Sequence, residues 1–298
     1  MKQNGSKKPA MPQPRLIINA DGFGFSRGIN RAIRLVAGAG SISSISVTPN
    51  FPAFMELFEF HRQFPQISVG VHLNPVVGRS MSPCASVPTL LNREGLFWYK
   101  DFPRRLVCGL IDENELFREL LAQVEAVQAT GIAVTHLDSH QNLHLLPRYF
   151  SVFLRLAKEK SIGRMRCHRH YVCGRPRLTG AGAVGFYAAR PKMGAVHLYS
   201  RFLMAMARKK GMRMADRLLS PPPSGDGKDR IGFWHAALSD LPGGTSEVYC
   251  HPAFPDETLM QWASYVDPRQ TETYVLLSSE FAVLLKQSQA RLIGFHDL

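Results

Sequence analysis

The chain has 298 residues, 45% of them apolar and 20% charged, an ordinary balance for packed domains that excludes wholesale disorder. At roughly 100–200 residues per domain it holds one large domain or two small ones, and no run nears the ~18 apolar residues of a membrane-spanning helix. Basic residues exceed acidic ones by 13, and the excess is local: residues 151–230 hold 18 basic and 4 acidic residues, so this segment is expected to meet something anionic or to lie in solvent near it.

Residues 1–14 are polar, basic and Pro-containing, without the apolar core of a secretory signal. They are expected to form a disordered tail ahead of a single domain over 15–298. Residues 15–20 (RLIINA) make a short apolar run, and Asp21-Gly22-Phe23-Gly24 follows as a turn. Ser26 can cap a helix over 27–38, where Ile29, Ile33, Val36 and Ala37 recur at helical spacing, with Gly38 and Gly40 to end it. The β-branched run Ile42 to Thr48 predicts a second strand, a helix starts from Ala53, and Ile67 to Leu73 predicts a third strand. Beyond these come a helix over 113–129, a strand over Val134–Asp138, a helix over 148–160 and a strand over Met165–His168. Last come a strand over Glu247–Cys250, a helix over 279–288 and a strand over Arg291–Phe295.

Short strands alternating with helices imply parallel strands with right-handed crossovers. Six or seven such units predict an α/β fold, a closed or nearly closed (β/α) barrel, with an open doubly wound sheet as the alternative. Both put the chemistry at the C-terminal ends of the strands. Two long stretches interrupt the pattern, residues 75–112 and the basic insertion at about 169–230. The five cysteines form an odd set without a CxxC pair, which argues against a disulfide framework and a zinc knuckle and fits a reducing, cytoplasmic setting.

Four strand ends carry unusual residues: Asp21, His72 with Asn74, the run Thr135-His136-Leu137-Asp138-Ser139-His140, and His251 before Pro252. If the strands are parallel, Asp21, His72, Asp138, His140 and His251 project into one mouth. Imidazoles and carboxylates converging there suit zinc and other divalent metals. Each has a plainer reading alone: a solvated histidine, a turn aspartate, a strand-terminating His-Pro, or for His136 a buried ring satisfied by backbone. Their joint placement at successive strand ends favours a site.

NADGFGFSRGIN, VGVHLN, THLDSHQNLH and CHPAF, in this order, together with GMRMADRLLS and the closing GFHDL, resemble the YdjC/ChbG-like carbohydrate deacetylases, the group that includes HpnK-type proteins. The resemblance runs from Arg15 to the C-terminus. It implies a (β/α) barrel-like fold, a divalent metal ion (Mg or Zn), and removal of an N-acetyl group from an amino sugar. Carried over by position, the metal-binding histidines fall on His72 and His140, and the late histidine, a general acid, falls on His251. The family's Asp pair falls on Asp21 and Gly22, so one carboxylate is missing. Asn142 stands where the family commonly has His. Asp21 is then the general base, and Asn74, Asp138 and Arg166 are expected to meet substrate, with Asp138 alternatively orienting His72 or His140. The loss at Gly22 leaves three outcomes: Asp21 ligates the metal, the metal binds more weakly through the histidines, or the site binds sugar without turnover.

Arg164, Arg166, His168, Arg169, His170, Arg175 and Arg177 cluster after the fifth strand. They are expected either to bind phosphate or carboxylate at the mouth or to form a solvated loop. Residues 196–210 read as a basic amphipathic helix that packs on the barrel or rests on an anionic membrane. The partners expected are an acetylated amino sugar, anionic or lipid-linked, a peripheral membrane contact and a second copy of the chain. No nucleic-acid motif is present. The alternatives to an enzyme are a non-catalytic sugar-binding member and an anion-binding protein acting through residues 151–230.

Overall fold

Eight parallel strands form one curled sheet in a computed structural model that describes residues 13–173, 188–220, 230–239 and 241–298. The strands are β1 (Arg15–Phe23), β2 (Ser44–Val47), β3 (Ser68–Leu73), β4 (Leu137–Ser139), β5 (His170–Val172), β6 (Arg217–Ser220), β7 (Thr245–Cys250) and β8 (Arg291–Leu292). Their order is β4-β3-β2-β1-β7-β6-β5, and β8 pairs with the start of β1. The helices are α1 (Arg27–Gly38), α2 (Leu57–Gln63), α3 (Phe102–Val107), α4 (Glu113–Gln128), α5 (Pro147–Glu159), α6 (Pro191–Lys209), α7 (Arg230–Leu238), α8 (Glu257–Trp262), α9 (Asp267–Leu277) and α10 (Ser279–Gln287).

Strands buried on both faces favour apolar and β-branched residues, which is why β1 to β3 are visible in the sequence. Along β1 the side chains alternate. Leu16, Ile18 and Ala20 join the main core, whereas Ile17 packs with Ile293 and Phe295 in a small separate cluster. Asn19 and Asp21 share the face of Ile17. That inner face is therefore apolar at its base and polar toward the C-terminal strand ends.

The sheet curls into a barrel-like, incompletely closed form. Leu137 N–H donates to the Arg164 carbonyl (3.1 Å), and Arg166 N–H donates to the Leu137 carbonyl (3.2 Å), so β4 meets the segment that leads into β5. The strand expected over Met165–His168 is only a bridge at Met165, with β5 further on. The cause is local: Cys167 N–H donates to the Glu247 carboxylate at 2.9 Å instead of to a neighbouring strand. The last expected strand is also short, because Gly294 opens a tight turn over Phe295–Asp297.

The start of α1 matches expectation, with Ser26 Oγ accepting from Ile29 N–H. The segment 75–112 is tied down by carboxylates of α4: Glu119 accepts from Met81 and Ser82 N–H, and Glu115 from Thr89. Arg175, Arg177, the Pro221–Pro223 run and residues 1–12 lie outside the described residues. Among the described residues, no helix is long and apolar enough to cross a membrane.

Candidate active site

A cavity of about 270 Å³ opens at the C-terminal strand ends, and Asp21, His72, His140 and His251 all line it. Four of the five histidine and aspartate positions singled out at strand ends thus meet in one place, and the fifth, Asp138, is buried off the cavity wall. β1 delivers Asp21, β3 His72, the turn after β4 His140, and the end of β7 His251.

Beneath the cavity lies a sealed ionic cluster. Arg166, 1% exposed, donates from both terminal nitrogens to Asp21 (2.8 and 2.5 Å). It also pairs with Asp138 Oδ2 (2.6 Å) and, through Nε, with Glu247 (3.1 Å), and its guanidinium sits 4.6 Å from the centre of the Tyr249 ring. Asn19 donates to Asp21 Oδ1 (2.7 Å). Burial acts to raise the Asp21 carboxyl pKa, but Arg166 outweighs it and holds the group below the usual carboxylate range. Asp138 is lowered in the same way against its burial, by Arg166 and His72. Glu247 is pushed up by burial to about 7, only partly offset by Arg166. One guanidinium therefore serves two ionised carboxylates and a third that titrates near neutrality, leaving net negative charge at the cavity floor.

Asp21, His72 and Asp138 each offer a ligand atom within 4.8 Å of the others, all buried. His72 Nδ1 is 2.9 Å from Asp138 Oδ1. That contact fixes the ring with its proton on Nδ1 and its lone pair on Nε2, the arrangement that prepares an imidazole for a metal. His140 stands edge-on to His72, ring centres 5.6 Å apart, beside this trio rather than within it. Burial and then His72 hold the His140 ring well below the usual imidazole range, so it is a neutral donor. The donor set and the uncompensated negative charge fit a divalent cation.

His251 Nε2 lies 3.8 Å from Asp21 Oδ2, and its backbone N–H donates to Glu272 (2.8 Å). Burial and then Arg269 lower its pKa, outweighing the opposing pull of Asp21. The imidazolium expected at this position is therefore a neutral ring at rest.

Three expected substrate contacts do not match their placement. Asn74 is fully buried, donating to Asn50 and the Val77 carbonyl while accepting from Val77 N–H; it shapes the loop after β3. Asp138 is fully buried under His72 and also accepts from Ser46 (2.9 Å), which leaves the orienting role. Arg166 is consumed by the carboxylates, and Arg164 reaches the carbonyls of His296 and Leu298. These two arginines do not form an anion-binding cluster at the mouth. His136 is a core residue, stacked on Phe295 (3.6 Å) with hydroxyls of Thr135 and Ser46 at its ring nitrogens.

Gly22 adopts φ +93° at a register shift between Asp21 and Phe23. A Cβ there would meet only Ile29 Cδ1 at 3.9 Å, so the backbone, not crowding, favours glycine. Asn142, at φ +55°, occupies a left-handed position that asparagine tolerates well.

Part of the remaining wall comes from residues that sequence reasoning missed: Tyr99, Trp262, Tyr265 and Arg269. Aromatic faces and a guanidinium suit a sugar and its polar substituents. Glu247 had a signal, a lone carboxylate in a strand whose alternate positions Tyr249 and His251 also face inward. The other four lie on loops and helix ends with no periodicity to mark them.

The YdjC-like protein family model matches residues 15–287. The chain is 30% identical over 286 residues to a carbohydrate deacetylase of Geobacillus stearothermophilus, covering 94% of this chain and 96% of that one. It is also 30% identical over 290 residues to a chitooligosaccharide deacetylase of Yersinia pestis (strain Pestoides F), covering 95% and 98%. A crystal structure of a putative cellobiose-phosphate cleavage protein from Enterococcus faecalis V583 shares the fold, with a TM-score of 0.76 at 23% identity over 96% of this chain and 98% of that one. On the match along its length and the relatives it covers nearly end to end, the chain belongs to the YdjC-like family.

Proposed function

We propose that the protein is a metal-dependent N-deacetylase that hydrolyses the acetamide of an amino sugar or sugar conjugate. The reading rests on Asp21, His72 and Asp138 gathered within 4.8 Å under a cavity that His140 and His251 also line, in a chain whose relatives carry carbohydrate deacetylase names. His72 through Nε2, Asp21 and His140 would hold the ion, with Asp138 fixing the His72 ring. A divalent ion there supplies a Lewis acid and lowers the pKa of a water toward ~7.

The protein's own residues manage the protons. Asp21, ionised and aimed by Arg166, orients the attacking water by accepting a hydrogen bond from it. As the water oxygen bonds to the acetyl carbon, its proton passes to His251, the neutral ring 3.8 Å from Asp21. His251 is neutral at rest, so the proton it gives to the departing nitrogen is one it has first received. The C–N bond then breaks to acetate and a free amine. Positioned groups of this kind contribute ~10²–10⁴-fold each. Trp262 and Tyr265 flank the sugar, and Arg269 provides a partner for an anionic substituent.

Acetate release from a panel of acetamido-sugars tests this. It should appear with equal free amine, stop with EDTA, return with Zn²⁺ or Mg²⁺, and vanish in His72→Ala. Gly22, in place of a second carboxylate, favours one other reading, a sugar-binding protein without turnover. That reading requires ligand-dependent thermal stabilisation with no acetate from any panel member.

A further inference from the structure

Helix α6 presents an apolar stripe to solvent. Ser200, Leu203, Met204 and Ala207 bury its inner side, while Leu198 is 69% and Phe202 62% exposed, with Tyr199 and Val196 also open. Residues 195, 198, 199 and 202 are spaced as one face of a helix. Its flanks are cationic: Lys192, Arg201, Arg208, Lys209 and Lys210 are all exposed, and Asp216 is the single acidic residue between positions 188 and 216. Another exposed apolar pair, Met55 and Phe58, is instead followed directly by acidic residues, Glu56 and Glu59. Charge thus distinguishes the two patches.

We propose that α6 docks flat on an anionic phospholipid surface. Its apolar stripe enters the headgroup layer and its basic flanks pair with lipid phosphates. The helix is 19 residues long and not apolar enough to cross a bilayer, so it lies on the surface. Tyr199 donates its hydroxyl to the Leu145 carbonyl (2.9 Å), at the end of the turn whose residues His140, Gln141 and Asn142 line the cavity. The docked face therefore adjoins the cavity rim. The inference stands apart from the deacetylase reading, because binding to vesicles needs no turnover.

Co-sedimentation of the full chain with vesicles decides it, using phosphatidylcholine alone and an equimolar mixture with phosphatidylglycerol. The expected result is binding to the mixed vesicles only, weakened by salt. Leu198→Glu/Phe202→Glu should abolish it, and each of Arg201→Gln and Lys209→Gln should weaken it about fivefold, the share of one surface cation. All variants should melt at the wild-type temperature, since the altered side chains are exposed. Three results would overturn the proposal: no binding of wild type to anionic vesicles, equal binding by the glutamate variant, or a lipid-free dimer by sedimentation velocity that the glutamate variant dissolves, which would assign the face to a second copy.

Discussion

Three carboxylates converge on the nearly fully buried Arg166 guanidinium, with Asp21 alone of the three lining the cavity, and buried charges of this kind are stable only as a set. Arg166→Met should cost about 3–5 kcal/mol in denaturant unfolding, because it strands Asp21 and Asp138 without a cation; wild-type stability would mean the cluster is not closed as described. At Gly22 the positive φ predicts that Gly22→Ala and Gly22→Asp both cost about 1–3 kcal/mol, although a Cβ finds room there. If either variant melts with wild type, the backbone does not need glycine. Strand-end position made Asp21, His72, His140 and His251 legible in the sequence. For Asp138 the sequence left orienting His72 and meeting substrate both open, and what Arg166 does was not legible, because a partner 145 positions away leaves no local trace. Arg166 looked like a substrate contact, yet it is sealed with Asp138 beneath the site.

Element by element, apolar and β-branched runs announced β1 to β3, and capping or spacing announced α1 and α4. Two expected strands fall short: Arg291–Phe295 at the turn Gly294 opens, and Met165–His168, where Cys167 N–H and the Arg166 side chain serve the ionic cluster instead of the ladder. The turn after β4 carries its own consequence. His144 bonds to Ser139 through Nδ1 (2.7 Å), stacks on Phe153, and is lowered by burial to about 3. His136, on the same segment, is lowered by burial to about 3 as well. A histidine whose pKa falls on folding binds its proton more readily when unfolded. Its stabilising contribution is therefore present above the unfolded value of ~6.5 and is lost as pH falls toward the folded one. Glu247, raised by burial to about 7, works the opposite way with Glu119 and Glu272, losing stability as pH rises, but His140, His168 and His251 are lowered by burial as well and outweigh them. The melting temperature should therefore drop between pH 7 and pH 5, and His144→Phe should drop less steeply. A melting temperature flat across that range would show that these rings are not buried neutral.

Across the whole molecule, one strand arrangement accounts for both the location and the polarity of the site. Because the strands run parallel and the sheet curls, the inner face collects Asn19, Asp21, Asp138, Arg166 and Glu247 below one mouth, with Ile17, Ile293 and Phe295 sealing the other end. Stability and metal affinity are then coupled: a bound divalent ion stabilises the folded form by mass action, and chelation should lower the melting temperature of wild type but not of His72→Ala. The central claim is that Asp21 and His72, with Asp138 behind them, make a cation site. Calorimetric titration of chelator-stripped protein with Zn²⁺ tests it most directly. Wild type should bind one ion per chain, Asp138→Asn should bind about 10–100-fold more weakly, and His72→Ala should not bind in the cavity at all while keeping its far-UV circular dichroism. Equal affinity in all three proteins, or no binding by any, would contradict the account.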